Sequence, residues 1–564
     1  MHLLDWLVLG GTMTFIIVYG VWKNRQQNTI ESYLRGNREA KWLTVALSIM
    51  ATQASAITFL SAPGQAYTDG MRFVQFYFGL PIAMIVLSVF FVPIYHKLNV
   101  YTAYEFLEKR FDLKTRSLAA ILFLTQRGLA AGFTIFAPSL VLSSILGWNV
   151  TLTNIIIGIL VIIYTVIGGT KAVNQTQKLQ MGVIFVGMLA AGIMVVQFLP
   201  EHVSFGDSLH IAGKMGRLNV VDLEFDPTSK YNIWSGLIGG FFLALSYFGT
   251  DQSQVQRYLS GSSIAQSRLG LLFNGMIKIP MQFLILLIGA LVYVFFFFNQ
   301  PPVFFNQVLL NEAREKGFET ELQKIENAYT DAHQQKQAAA LQLVDALHAD
   351  NQALIETSTI TLQEKAQQTE TIRGEAIAVI KQAIPDADTN DTNYIFLSFV
   401  KKYLAPGLVG LLIAVILSAS MSSTASELNA LASTSVIDIY KRMIHSNGSE
   451  QHYVRISKLM TIFWGCYAIL FSMYANRLGT LIEAVNILGS LVYGVILGVF
   501  SVAFFFKKVG SKAVFIAAII AEACILGLYF FSATPFLWFN VIGCLLVIGI
   551  SVILQALFKE KSLQ

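Results

Sequence analysis

Apolar runs long enough to cross a bilayer recur along nearly the whole chain, near 3–22, 42–62, 72–95, 115–146, 152–169, 177–199, 232–250, 270–299, 395–436, 456–474, 481–506, 512–532 and 535–558. Thirteen runs of about 18 residues or more predict a polytopic all-α membrane protein embedded in a lipid bilayer. The polar connections carry a second pattern: every second one is basic. Lys23, Arg25, Arg35, Arg38 and Lys41 follow the first run, and Lys97, Lys109, Arg110, Lys114 and Arg116 the third. Lys171 and Lys178 flank the fifth-to-sixth connection, Arg257 and Arg268 follow the seventh run, and Lys441, Arg442, Arg455 and Lys458 the ninth. Lys507, Lys508 and Lys512 follow the eleventh, and Lys559 and Lys561 end the chain. Positive charge marks cytoplasmic loops, so the expected topology has the amino terminus outside and the carboxyl terminus inside. The membrane is expected to be a cell membrane, the inner one if the source is bacterial. The first run has no basic residue ahead of it and no cleavage pattern behind it, and reads as a retained span, not a signal peptide.

Two connections on the expected outer side are long. Residues 200–231 are polar with Gly and Pro and read as an irregular cap with room for a short helix. Residues 306–393 are rich in Ala, Gln, Glu and Lys, with apolar positions at helical spacing (Leu322, Ile325, Tyr329, Ala332, then Leu341, Val344, Leu347). They predict a helical hairpin or small coiled-coil-like insertion, either a solvated spacer or a gating or partner-binding domain. The chain therefore divides into 1–305, the insertion 306–393, and 394–564.

The apolar pattern is interrupted in four places where a plain membrane span would not be. From Trp42 to Asp69 an apolar helix changes character at Ala51, where Thr52, Gln53, Ser55 and Thr58 intrude before Pro63-Gly64. Polar groups at bilayer depth cost several kcal/mol unless satisfied. The run therefore predicts a broken helix whose freed carbonyls can hold a cation, with Gln53 beyond the break from Ser55 and Thr58. The competing reading is hydroxyls bonded back to their own helix. From Leu411 to Tyr440, five serines and Thr424 fall within nine residues, Ala419, Ser422 and Ser423 among them on one side of a turn. Hydroxyl and carbonyl oxygens suit a dehydrated Na⁺; small-residue helix packing is the alternative.

From Tyr247 to Gly270, Phe248, Asp251, Gln252, Gln254, Gln256 and Arg257 crowd the end of the seventh run. Such a cluster is sensible beside a cavity, while Arg257 and Arg268 also fit the modest role of interfacial anchors. Arg127, beside Gln126, interrupts the fourth run. It either snorkels to the interface or faces the bundle interior, where a solute carboxylate would be its natural partner.

Composition then excludes classes. Hydrophobic residues are 55% of the chain and the net charge is only +5, so the basic residues report topology and not nucleic-acid binding. Cys466, Cys524 and Cys544 lie in apolar runs and read as packing residues. No nucleophile elbow, metal-ligand spacing or phosphate loop supports an enzyme. A channel would need a continuous hydrophilic face, and the short carboxyl tail leaves no room for a sensor's output domain.

The stretches SIMATQASAITFLSAPGQAY, GGTKAVNQTQKLQ, GTDQSQVQRYLS and SASMSSTASELNALASTSVIDIY give the chain its resemblance to the sodium/solute symporter family. That family includes bacterial galactose, proline and sialic acid symporters and animal glucose and monocarboxylate cotransporters. The likeness covers nearly everything except 306–393. It implies the LeuT-like inverted five-helix repeat fold, here the second to sixth and the seventh to eleventh spans, with one helix before and two after. It also implies sodium as the coupled ion, held at Ala51, Ala54, Ala419, Ser422 and Ser423. Ser55, Thr58 and Gln53 would face the solute, and Phe73 and Gln75 join them by position. The sixth span departs from the family's aspartate-bearing motif: Gln175-Thr176-Gln177 precedes Lys178. An amide lacks the charge to offset a second cation, so one coupled Na⁺ is expected. The expected activity is import of a sugar or acidic sugar such as sialic acid, with a monocarboxylate or other organic anion as the alternative. A carboxylate-free ion site argues against proton coupling.

Overall fold

The computed structural model describes residues 2–23, 29–226, 228–475 and 481–558. Arg25, Lys559 and Lys561, used above for topology, lie outside the described residues. Helices dominate: α1 (Leu3–Lys23), α2 (Trp42–Gln53), α3 (Ala56–Asp69), α4 (Met71–Leu98), α5 (Leu113–Leu146), α6 (Val150–Gln197), α7 (Phe205–Lys214), α8 (Ser235–Thr250), α9 (Gln252–Leu259) and α10 (Ile264–Phe298). They continue as α11 (Glu319–His348), α12 (Gln352–Ala383), α13 (Thr392–Tyr403), α14 (Leu408–Ile444), α15 (Glu450–Ser472), α16 (Leu481–Phe505), α17 (Ser511–Phe531) and α18 (Phe536–Phe558), with shorter helical turns between some of them.

Among the described residues ten helices are long and apolar enough to cross a membrane, and the bent pair α2/α3 makes up to eleven. Two further expected runs are shorter apolar helices, Leu3–Ile16 and Ser235–Thr250. The two halves of the pair meet at 60°. The run 395–436 is not one span: α13 ends at Tyr403, and α14 begins after Gly407, whose φ of 93° suits a glycine. Nor do 152–169 and 177–199 have a loop between them. They are two spans, Val150–Ile167 and Val173–Gln197, helices that meet directly at a sharp kink at Gly169, with φ 52° and ψ −171°.

The core is organised on α14, which packs along α6 and against α1, α2, α3 and α5. On the other side of the pair, α10 packs on both α2 and α3. Small residues set these approaches. A Cβ on Gly289 of α10 would lie 2.1 Å from the Pro63 carbonyl oxygen, and one on Gly64 2.1 Å from that of Thr392. Pro63-Gly64 is thus a packing device within an unbroken α3.

The insertion forms a helical hairpin, α11 against α12. The segment before α8 contains α7, opened by a Ser204/Asp207 capping box. His348 of the hairpin pairs with Asp207 at 3.0 Å. Gln363 donates to the Lys214 carbonyl at 3.1 Å, so cap and hairpin lie together at one end of the bundle.

Candidate functional site

The break in α2/α3 releases backbone oxygens. In a continuous helix the Ala51 carbonyl would accept from the Ser55 N–H four residues on. Here Ser55 N–H turns to the Gln53 carbonyl, 3.0 Å away, and Ala54 leaves the helix at φ −83°, ψ 75°. The Ala51 carbonyl instead accepts from Ser422 Oγ of α14 at 3.0 Å. Ala51, Ala54, Ala419, Ser422 and Ser423 are all buried. Ser423 Oγ donates to the Ala419 carbonyl at 3.0 Å and to that of Ser420 at 3.1 Å, the back-bonded arrangement. The structure therefore joins Ala51 directly to Ser422, places Ser423 and Ala419 one turn apart on the same helix, and sets Ala54 at the break.

Gln177 of α6 closes this cluster from the side. Its amide nitrogen donates to Ser426 Oγ at 2.9 Å, Thr52 Oγ1 at 3.2 Å and the Ser422 carbonyl at 3.3 Å. Its oxygen accepts from Ser48 Oγ. The Gln177 amide thus spends its N–H groups on the Ser426, Thr52 and Ser422 oxygens.

A cavity of about 110 Å³ lies beside the break. Gln53, Ser55, Thr58, Arg127 and Phe248 line it, as do Phe76, Tyr77, Tyr247, Glu427 and Tyr493, which sequence reading did not single out. Four expected residues do not line it: Phe73, Gln75, Gln252, and Asp251, which stands behind the lining residues Arg127 and Tyr493. Residues 71–77 form a 3₁₀ helix, in which positions three apart eclipse. Phe73 accordingly stacks on Phe76 at 5.4 Å and faces away from the cavity, while Gln75 bonds the Tyr231 carbonyl at 3.2 Å and the Asp222 N–H at 3.0 Å. Gln252 pins the chain at Tyr101 and Ala103, through bonds of 2.9 and 3.1 Å.

Arg127 faces the interior, 3% exposed. Its Nε donates to Asp251 Oδ2 at 3.0 Å and one terminal nitrogen to Glu427 Oε1 at 3.1 Å. The other terminal nitrogen bonds Asp251 and the Tyr493 hydroxyl, and the guanidinium lies 5.4 Å from the Tyr247 ring centroid. Thr134 Oγ1 completes Glu427 at 2.9 Å. The arginine's Nε and both terminal nitrogens are thus taken up by protein partners, two carboxyl groups and a hydroxyl.

Asp251 has this position because the seventh span is broken too. α8 ends at Thr250, Asp251 is extended (φ −77°, ψ 119°), and its Oδ1 caps α9 by accepting from Ser253 N–H at 2.8 Å. Each repeat begins with a broken helix, and the cavity lies between the two breaks. Arg257, expected as an interfacial anchor, is wholly buried and bonds Asn174 at 2.9 Å; Arg268 is exposed and bonds the Ser88 carbonyl at 2.7 Å. Lys278 of α10 is buried without a hydrogen-bond partner, 5.3 Å from the centroid of the cavity-lining Tyr77 ring. A lysine in the middle of an apolar run was the signal available for it.

The profile of the Sodium:solute symporter family matches residues 33–348 and 366–521. Sodium-coupled monocarboxylate transporter 1 of Mus musculus is 27% identical over 500 residues, covering 88% of this chain and 68% of that protein. The sodium/iodide cotransporter of Homo sapiens is 33% identical over 251 residues, 44% of this chain and 38% of that one. A solved structure of a Na⁺-coupled sialic acid symporter, substrate-bound and outward-open, superposes with a TM-score of 0.76 at 22% identity, covering 100% of this chain and 99% of that one; this likeness shows the fold. The chain belongs to the sodium:solute symporter family: it is a multi-pass membrane carrier of small solutes, not an enzyme, and sodium is its coupled ion.

Proposed function

We propose that this carrier imports a small neutral polyhydroxylated solute, a sugar, across a cell membrane by alternating access with one sodium ion per cycle. The observation that carries this reading is the pairing of Arg127 with both Asp251 and Glu427. A cavity wall whose cation is matched by two carboxylates repels a solute anion and offers hydroxyl groups both donors and acceptors. Ser55, Thr58 and Gln53 supply further polar contacts. The ion would sit where Ala51 and Ser422 meet, so that its binding ties the broken helix to α14. Gln177 supports a single ion, because its amide donates to the Ser422 carbonyl. One charge crossing 100 mV supplies about 2.3 kcal/mol, enough to concentrate a neutral solute more than tenfold.

The second reading is an acidic sugar such as sialic acid, or a monocarboxylate, as the relatives' names would suggest. Lys278 favours it, as a cation without a hydrogen-bond partner beside a cavity-lining ring. Uptake into proteoliposomes under an inward sodium gradient decides between them, using labelled D-glucose, D-galactose, N-acetylneuraminate and lactate. Sodium-dependent uptake of a neutral sugar is expected, and uptake confined to the anions would overturn the reading.

A further inference from the structure

A groove of about 590 Å³ follows the seam between the second half of α6 and α10 on the outside of the bundle. Phe59 of α3, Ile184 of α6 and Ile288 of α10 are buried at its floor, while Leu189 and Leu284, 67% and 58% exposed, form its rims. Gly192 keeps the middle open, since a Cβ there would stand 3.4 Å from the Ile288 side chain. Both walls belong to membrane-crossing helices, Val173–Gln197 and Ile264–Phe298, so the groove faces hydrocarbon. From Ile184 to Gln197 its α6 wall extends about 20 Å along the helix axis, the reach of one extended fatty acyl chain.

The groove ends where the chain turns polar. Gln197, the last residue of α6, is the one polar side chain in the lining, and Phe205, the first residue of α7, closes the same end. Immediately beyond Phe205, Gly206, His210, Gly213 and Lys214 line a depression along the exposed side of α7. The two glycines let a ligand come close to the helix, His210 offers a ring N–H, and Lys214 supplies a cation. A ligand that matches both parts is apolar for about 20 Å and anionic at one end. A helix of a second copy would fill the apolar part and leave Lys214 unmatched.

We propose that this groove is a specific site for a membrane phospholipid of the leaflet at the insertion end. One acyl chain lies along α6 and α10 against Phe59, and the phosphate meets His210 and Lys214 of α7. The acyl chain touches α3 directly, and Thr58, the residue before Phe59, lines the solute cavity. α3 thus has the solute on one side and the lipid on another, whichever solute the carrier takes.

Photolabelling tests the site, with the full chain in nanodiscs of phosphatidylcholine and phosphatidylglycerol, each lipid in turn carrying a diazirine on one acyl chain. Label should concentrate on residues 184–197 and 281–291 by about fivefold or more over the exposed Leu526 and Phe530 of α17. Native mass spectrometry should find one phospholipid retained per chain. Gly192→Leu, which fills the groove, and Leu189→Trp, which narrows its rim, should each cut groove labelling by about fivefold or more and leave α17 unchanged. Lys214→Gln should weaken retention by about fivefold, the worth of one lysine at a lipid surface. Labelling spread evenly over the groove and α17, which marks bulk bilayer lipid only, would overturn the site. So would groove labelling that survives both groove variants, retention unaltered in Lys214→Gln, or a dimer whose seam is shielded from label by a second copy.

Discussion

Ser422 Oγ reaches from α14 to the Ala51 carbonyl oxygen at 3.0 Å, a hydrogen bond between the two structural repeats at the point where α2 loses its own partner. Neither residue is unusual in a membrane helix. Their meeting is, because it places a hydroxyl and a freed carbonyl on the same small volume. Turning the hydroxyl proton away from the carbonyl would leave both oxygens' lone pairs to face a Na⁺.

Ser422→Ala should therefore raise the sodium concentration for half-maximal transport by about tenfold or more, the loss of one ion ligand, while the fold loses only about 1 kcal/mol from one hydrogen bond. Sodium titration of uptake, with a thermal melt as control, checks both parts. A variant with unchanged sodium dependence would remove Ser422 from the site.

Arg127→Gln has a structural cost. Asp251 and Glu427 would be left buried without their cation, at about 3–5 kcal/mol. The single variant should melt well below the unmodified protein whatever the solute, so its transport defect says nothing about substrate charge. Neutralising the partners as well, in Arg127→Gln/Asp251→Asn/Glu427→Gln, should recover much of the lost stability in a denaturation experiment.

Lys278→Met keeps the volume of the side chain and removes a buried cation without a hydrogen-bond partner. Its melting temperature should equal or exceed that of the unmodified protein. Neutral-sugar uptake should stay within about tenfold, the worth of one hydrogen bond. A variant that folds but loses all uptake would move the solute's charge recognition to Lys278.

The hairpin should respond to acid. His333 of α11 is buried with neither ring nitrogen hydrogen-bonded, and burial, aided by the Lys336 charge, pulls it down to about 4. The unfolded hairpin then binds more protons than the folded one between about pH 6.5 and 4, so its stability falls as pH drops through that window. Amide protection factors across α11 and α12, taken relative to the intrinsic exchange rate at each pH, should fall from pH 7 to 5 in the unmodified protein and much less in His333→Leu.

The apolar pattern and its polar interruptions carried the fold and one half of the site. Thr52, Gln53, Ser55 and Thr58 betray a break because hydroxyls and amides inside an apolar run require a cause, and the break falls between Gln53 and Ala56. The second break was less legible, because Asp251 sits at the end of a short apolar run, where a polar residue needs no explanation. Glu427 was hidden among serines in the α14 motif, and its pairing with Arg127, 300 residues away, is a property of tertiary packing. Phe73 and Gln75 were misplaced because the segment is 3₁₀, and a three-residue turn rotates side chains away from where an α-helix would put them.

The most direct test of the account is the number of sodium ions and net charges carried per solute molecule, measured together as ²²Na⁺ flux, current and labelled-sugar flux in proteoliposomes. A single ion site beside Gln177 and a neutral solute predict one sodium ion and one positive charge per sugar, with a Hill coefficient for Na⁺ of about one. Two sodium ions per solute, or a cycle that moves no net charge, would contradict it.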